Sequence, residues 1–154
     1  MASLSRSRPS AAQLGAIRTS RLTVLTKGRD FVDLSAEIAG FVTEIGAREG
    51  VVTLFLRHTS ASLTIQENAD PAVLHDLARA LDRLAPEQGP WSHQSEGPDD
   101  MPAHVKAMVS GISLQIPVLE GALVLGTWQG VYLIEHRHRP HRREVVVQFI
   151  GDAG

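Results

Sequence analysis

The sequence predicts an α+β domain built on antiparallel strands, and three observations carry that reading. Five stretches, 51–58, 61–66, 113–118, 129–136 and 144–150, have the length and the aliphatic, β-branched content of strands. Two segments ahead of residue 86 instead carry apolar residues at helical spacing. Strands then dominate the C-terminal half, where a parallel sheet would require helices to alternate with them. An antiparallel sheet or sandwich with two main helices and a short third one satisfies all three.

The elements follow in order. Residues 17–26 read as a strand with Leu22 and Val24 on one face, closed by the polar turn Lys27-Gly28-Arg29-Asp30. Asp33 or Ser35 caps a helix to about Ala47, with Ile38, Phe41, Val42 and Ile45 on one side. In the next strand Val52, Leu54, Leu56 and His58 share a face, so His58 stands in line with core residues. The following strand puts Leu63 and Ile65 opposite Ser62, Thr64 and Gln66. Asp70-Pro71 is an N-cap followed by proline at the first helical position, and Leu74, Leu77, Leu81 and Leu84 line one face of that helix until Pro86. A polar loop over 88–101 leads to a short helix over 102–110, closed by Gly111, and the remainder is strand, including 122–125.

Composition narrows the function classes. A chain of 154 residues is one domain by size. Residues 1–14 are expected to be a disordered leader, with acids missing from its first dozen residues, and residues 15–154 the domain. The formal charge of −2 gives no basic excess for a nucleic-acid partner. No apolar run approaches the roughly 20 residues that span a bilayer. The chain has no cysteine, which removes disulfides and thiolate chemistry and fits a cytoplasmic location.

Histidines mark the candidate chemistry, because imidazole moves protons near neutral pH and ligates transition metals. His58 opens the run His58-Thr59-Ser60, and His93 and His104 flank Glu96, Asp99 and Asp100. Two imidazoles beside carboxylates suit Zn²⁺, or with harder oxygen donors Mg²⁺ or Mn²⁺, and suit proton transfer as well. No His-x-x-x-His pair falls on a helix. Asn68 precedes the cap at Asp70, where a helix N-terminus favours an anion such as phosphate. Gly126-Thr127-Trp128-Gln129-Gly130 sets a tryptophan between two glycines, which suggests close backbone approach and an aromatic surface for a ring or a neighbouring subunit. Glu135 ends an apolar stripe and needs a partner if buried. The run His136 to Arg143 reads as solvated overall, with Arg142 and Arg143 as anion clamps at the base of the last strand.

These segments together resemble the YjbQ-like family, also described as secondary thiamine-phosphate synthases. The likeness lies in His58-Thr59-Ser60-Ala61-Ser62-Leu63-Thr64, Glu67-Asn68 with Asp70-Pro71, and Asp76. It continues in Glu96-Gly97, Asp99-Asp100-Met101-Pro102 with His104, Gly126-Thr127-Trp128-Gln129-Gly130, Glu135-His136-Arg137 and Arg142-Arg143. The resemblance implies a β-sandwich-like core, a homotrimer with sites near subunit boundaries, and a weak thiamine-phosphate synthase activity. That reaction joins a pyrimidine methyl diphosphate to a thiazole phosphate and releases pyrophosphate.

Such a transfer needs cation clamps or Mg²⁺ on the diphosphate and a platform for a carbocation-like ring. Arg142, Arg143, Asp99, Asp100 and the helix start at Asn68 are candidates for the first, and Trp128 for the second. The catalytic set is then His58, His104, Asp100 and Glu135, with Thr59, Ser60, Asn68, Thr127, Trp128, Gln129, Arg142 and Arg143 binding a small phosphorylated metabolite. Two other classes stay open. One is a metal-dependent hydrolase or lyase with His58, His93 and His104 as its three ligands to Zn²⁺. The other is a non-catalytic trimeric module that binds a metabolite or metal.

Overall fold

The computed structural model describes residue 11 and residues 14–154. Apart from residues 11 and 14, the expected leader lies outside the described residues. Strands β1 (Ala16–Leu25), β8 (Arg142–Ala153), β3 (Ala47–Leu56), β5 (Ser113–Leu119) and β6 (Ala122–Leu123) form a five-stranded antiparallel sheet in that spatial order. Strands β2 (Asp30–Asp33), β7 (Gln129–Glu135) and β4 (Ala61–Glu67) form a second, three-stranded antiparallel sheet. The helices are α1 (Ser35–Glu44), α2 (Pro71–Leu84) and α3 (Asp100–Ser110). Among the described residues no helix is long and apolar enough to cross a membrane.

Strand alternation builds the core. Val145, Val147 and Phe149 of β8, Val52, Leu54 and Leu56 of β3, and Leu63, Val131 and Leu133 of the smaller sheet join one buried apolar cluster. Both sheets therefore turn an apolar face to the same interior, the sandwich-like arrangement that period-two patterning demands. Ile38 and Val42, one helical turn apart, carry α1 into this cluster. Where β3 pairs with β8, Gly50 faces Gly151; a Cβ on Gly50 would stand 2.8 Å from the Gly151 Cα and from the Phe149 ring. Glycine there lets two backbones and a fully buried phenyl group share one space.

Several boundaries move, each for a physical reason. The last strand is twelve residues long, not the seven of 144–150, because β8 is an interior strand that pairs on both sides, with β1 and β3. The 122–125 strand is only Ala122–Leu123: Val124 N–H still reaches the Pro117 carbonyl, but Pro117 has no N–H to return the pair, and Leu125 N–H turns back to the Leu123 carbonyl. The strand expected to reach His58 stops at Leu56. Neither expected cap of α1 is the cap residue: Leu34 holds that position, while Asp33 accepts the Ser35 N–H at 2.8 Å. That helix ends at Glu44, because Gly46 adopts φ +60°. In α2 the Asp70 carboxylate caps Ala72 N–H at 2.8 Å, as the Asp-Pro pair predicts.

The third helix starts at Asp100, two residues before the expected Pro102. The first four helical N–H groups have no intrahelical acceptor, so proline is tolerated anywhere in that turn and does not mark its first residue. The shift matters, because it places Asp100 and His104 one turn apart on the same face.

Candidate functional site

The chemistry-bearing residues collect at one end of the β4–β7 ladder, where Ala61 faces Glu135. Glu135 is fully buried and points into the core side of the sheet, in line with Val131 and Leu133. Arg143 meets it bidentately, Nε on Oε2 at 2.7 Å and a terminal nitrogen on Oε1 at 2.6 Å. Thr26 donates to Oε2 at 2.9 Å, and Arg137 N–H to Oε1 at 3.0 Å. Burial pushes this carboxyl up, but those hydrogen bonds outweigh it and hold it below the ordinary glutamate value. Arg143 also reaches the Ser60 carbonyl and hydroxyl, at 3.3 and 3.1 Å. Glu135 and Arg143 are thus a buried structural pair. As placed, the Glu135 carboxylate expected in catalysis is engaged by Arg143, Thr26 and Arg137, and the Arg143 guanidinium expected to clamp an anion is engaged by Glu135 and Ser60.

A second group lies just outside that pair. His93, Asp100 and His104 each offer one ligand atom, and the three atoms lie within 4.8 Å of one another. Asp100 Oδ2 stands 2.8 Å from His93 Nε2 and 3.2 Å from His104 Nε2. The other oxygen of Asp100 takes the Arg137 guanidinium, whose Nε holds Asp99 at 3.0 Å and whose third nitrogen donates to the Glu96 carbonyl at 2.8 Å. Burial raises the Asp99 carboxyl, but the His138 N–H and Arg137 more than offset it and leave it below the ordinary value. Arg137 therefore ties the 85–99 loop to both acids.

His104 fixes the electrostatics of this corner. Its Nδ1 lies 2.9 Å from the Thr59 carbonyl, an oxygen that only accepts, so Nδ1 carries the hydrogen. Nε2 then turns its lone pair toward the Asp100 carboxylate. That contact is attractive only with positive charge present, either a proton on Nε2 or a cation among the three donors. A backbone carbonyl on one ring nitrogen with the other left free is how ligating histidines are oriented.

The other expected residues fall in two places. His58 is half-buried beside this end but outside the donor group: its Nε2 accepts the Glu144 N–H at 2.9 Å, replacing the backbone acceptor lost where β3 ends. Burial and then Arg143 lower its pKa. The structure brings Asp100, in the place expected for His58, to His93 and His104. Thr59 is exposed and Ser60 buried, and Arg142 is exposed with Thr23 at 3.4 Å.

Asn68, Thr127, Trp128 and Gln129 lie at the opposite end of the ladder, where Glu67 faces Gln129. Six residues of antiparallel strand separate the two ends, about 20 Å. Asn68 N–H binds the Trp128 carbonyl at 3.0 Å, and the Trp128 residue is 63% exposed. The anion site expected at the start of α2 holds the Asp70 carboxylate as its cap. Beside it, among the described residues, Glu67 Oε2 is buried with no hydrogen-bond partner.

The basic run from His136 is not solvated as a whole. His136 and Arg143 are buried and Arg137 is largely so, while the turn from His138 to Pro140 and Arg142 are exposed. Strand phase gives the reason for His136. It follows Tyr132 and Ile134 on the outer face of the smaller sheet, where Ser62 meets its Nε2 at 2.8 Å. The alternation was readable, but like charges adjacent in sequence suggested solvent. Trp91, a functional hint in the sequence, instead braces its own loop through Nε1 to the Pro86 carbonyl at 2.9 Å.

The model of the UPF0047 YjbQ-like family matches residues 20–152, carrying all of these motifs. The chain belongs to this family. A UPF0047 protein of a Synechocystis strain is 49% identical over 132 residues, covering 85% of this chain and 90% of that one. The UPF0047 protein YjbQ of Escherichia coli O157:H7 is 41% identical over 132 residues, covering 85% and 96%. Among solved structures, a yjbq/UPF0047 family protein of Clostridium acetobutylicum superposes with a TM-score of 0.80 at 38% identity, covering 85% of this chain and 99% of the other. A hypothetical protein of Aeropyrum pernix does so with 0.81 at 28% identity, covering 88% and 99%. The α+β fold with two antiparallel sheets is the UPF0047 fold.

Proposed function

We propose that this UPF0047 chain is an enzyme acting on a small phosphorylated metabolite, with a divalent cation held by His93, Asp100 and His104. The observation that carries the reading is the His104 ring: its Nδ1–H is committed to Thr59, and its Nε2 lone pair faces a carboxylate. Two imidazoles and one carboxylate are a zinc-type donor set, whereas Mg²⁺ prefers oxygen ligands. Bound there, the cation supplies Lewis acidity toward a phosphoryl oxygen. Thr59 orients one ligand ring, Asp100 aligns both, and Arg137 balances the charge of the two acids. A cleft of about 420 Å³ lined by Trp91, His93 and Gln94 opens beside the group and suits a small molecule. Metal-assisted hydrolysis or lysis fits this geometry best.

Thiamine-phosphate synthesis is the second reading, favoured by the exposed Trp128 ring, which is free to stack on a pyrimidine. Trp128 lies about 20 Å along the ladder from the histidines. One site containing both therefore needs two copies of the chain, in keeping with a homotrimer. The unpartnered Glu67 oxygen at the Trp128 end supports the same assembly.

The test is metal analysis of untagged protein with its mass in solution, followed by single-turnover assays with the pyrimidine diphosphate and thiazole phosphate. Stoichiometric zinc lost in His104→Ala, without synthase product, supports the hydrolase or lyase. Product that requires Mg²⁺ supports the synthase. Neither metal nor product overturns both and leaves the non-catalytic module.

A further inference from the structure

The amphipathic helix α2 has no fully buried residue. Its apolar stripe stands off the outer face of the three-stranded sheet and leaves a cleft of about 530 Å³. Leu74, Ala78 and Leu81 form one wall, and Phe31 and Ile134 the other. That volume and lining are those of small-molecule sites, which pair apolar walls with a few polar groups.

The polar group here is Lys106. Its side chain is 4% exposed and lines the cleft, with Asp82 Oδ1 at 2.7 Å as its acceptor among the described residues. Asp82 is shared with Arg29, which also lines the cleft. An ammonium has three hydrogens to donate, so one shared carboxylate leaves it under-used. Asp30 and Glu135 do not redress the balance: they face each other in register and turn to the opposite side of the sheet from Phe31 and Ile134. The Glu135 carboxylate is already held by Arg143. His136, also in the lining, is neutral near pH 7 because burial lowers its pKa to about 4. Arg29 is balanced further by Glu87 at 3.9 Å, so the under-used donor of the cleft is the Lys106 ammonium.

We propose that this cleft is a second binding site, for a small ligand with a flat apolar body and one anionic group seated on Lys106. A protein surface packed dry over the cleft would leave the ammonium short of acceptors, at a desolvation cost that an anionic group removes. The site is separate from the histidine group: Lys106 and His104 are two residues apart on α3, nearly opposite sides of a helix with 3.6 residues per turn.

The test uses the full chain with chelator present, to keep the histidine group free of metal. Calorimetric titrations compare 1-naphthoate, 1-naphthyl phosphate and neutral 1-naphthalenemethanol. One equivalent of either anion should bind at least tenfold more tightly than the neutral alcohol, and which anion binds more tightly separates a carboxylate ligand from a phosphate. Lys106→Met should weaken that binding at least tenfold, and Ala78→Trp, which fills the cleft from the helix side, should abolish it. Should Lys106→Met lose its circular dichroism, Ala78→Trp decides alone. No saturable binding to the wild type at millimolar concentration, or unchanged binding in Ala78→Trp, overturns the proposal. So does a change of mass in solution caused by Ala78→Trp, which marks the cleft as a contact between copies.

Discussion

Glu135 and Arg143 form a bidentate ion pair at 2.6 and 2.7 Å, with both side chains almost completely withdrawn from solvent. Removing one partner leaves the other charge buried and unpaired, which costs about 3–5 kcal/mol. Glu135→Ala and Arg143→Ala should each lower the urea midpoint by that equivalent with an unchanged m value. The double variant Glu135→Ala with Arg143→Ala should lose less than the two single losses combined. A strictly additive pair would sink the account of a coupled buried charge.

His136 sets an acid limit on stability. Burial lowers its pKa from 6.5 to about 4, so between those values the unfolded chain takes up a proton that the folded chain refuses. Stability must therefore rise with pH across that window and fall on acidification through it, by on the order of 3 kcal/mol. Glu135, whose folded pKa is depressed, adds stability above the ordinary carboxylate value that is lost as pH falls through the lower folded one. Urea denaturation between pH 7 and 4 checks this, and His136→Gln should flatten the slope above pH 5.

Arg137 is the staple of the 85–99 loop, with its guanidinium on Asp99, Asp100 and the Glu96 carbonyl. Lysine cannot reproduce that planar fork. Arg137→Lys should speed amide exchange in the loop at least tenfold while the exchange of β8 stays unchanged. Equal acceleration in both segments would mean that Arg137 supports the whole fold instead.

Metal retention separates the two ligand sets. His58 has its Nε2 engaged by the Glu144 N–H, while Asp100 lies within reach of both His93 and His104. Loaded with zinc, His58→Ala should keep its metal through dialysis, and Asp100→Asn or His104→Ala should lose affinity at least tenfold. The opposite order would restore His58 as a ligand.

The Asp70 cap offers a local control. Its carboxylate accepts the Ala72 N–H at 2.8 Å, so Asp70→Ala should cost about 1 kcal/mol in thermal or urea unfolding. A loss well beyond that would point to a role for Asp70 outside its helix.

The sequence by itself determined what depends on neighbours along the chain. Period-two alternation in 51–56 and 61–66, the spacing of Ile38 and Val42, and the Asp70-Pro71 start of α2 all specify local geometry. The motif order also sufficed for the family. Tertiary structure decided the site, because its contacts span long separations: Glu135 chose Thr26, 109 residues away, and His104 chose Thr59, 45 residues away. Nothing local distinguishes an arginine that will be buried against a carboxylate from one that clamps an anion. Helix α3 shows the boundary between the two. Its proline marked a first turn without saying where that turn began, and only the fold set the start that puts Asp100 under His104.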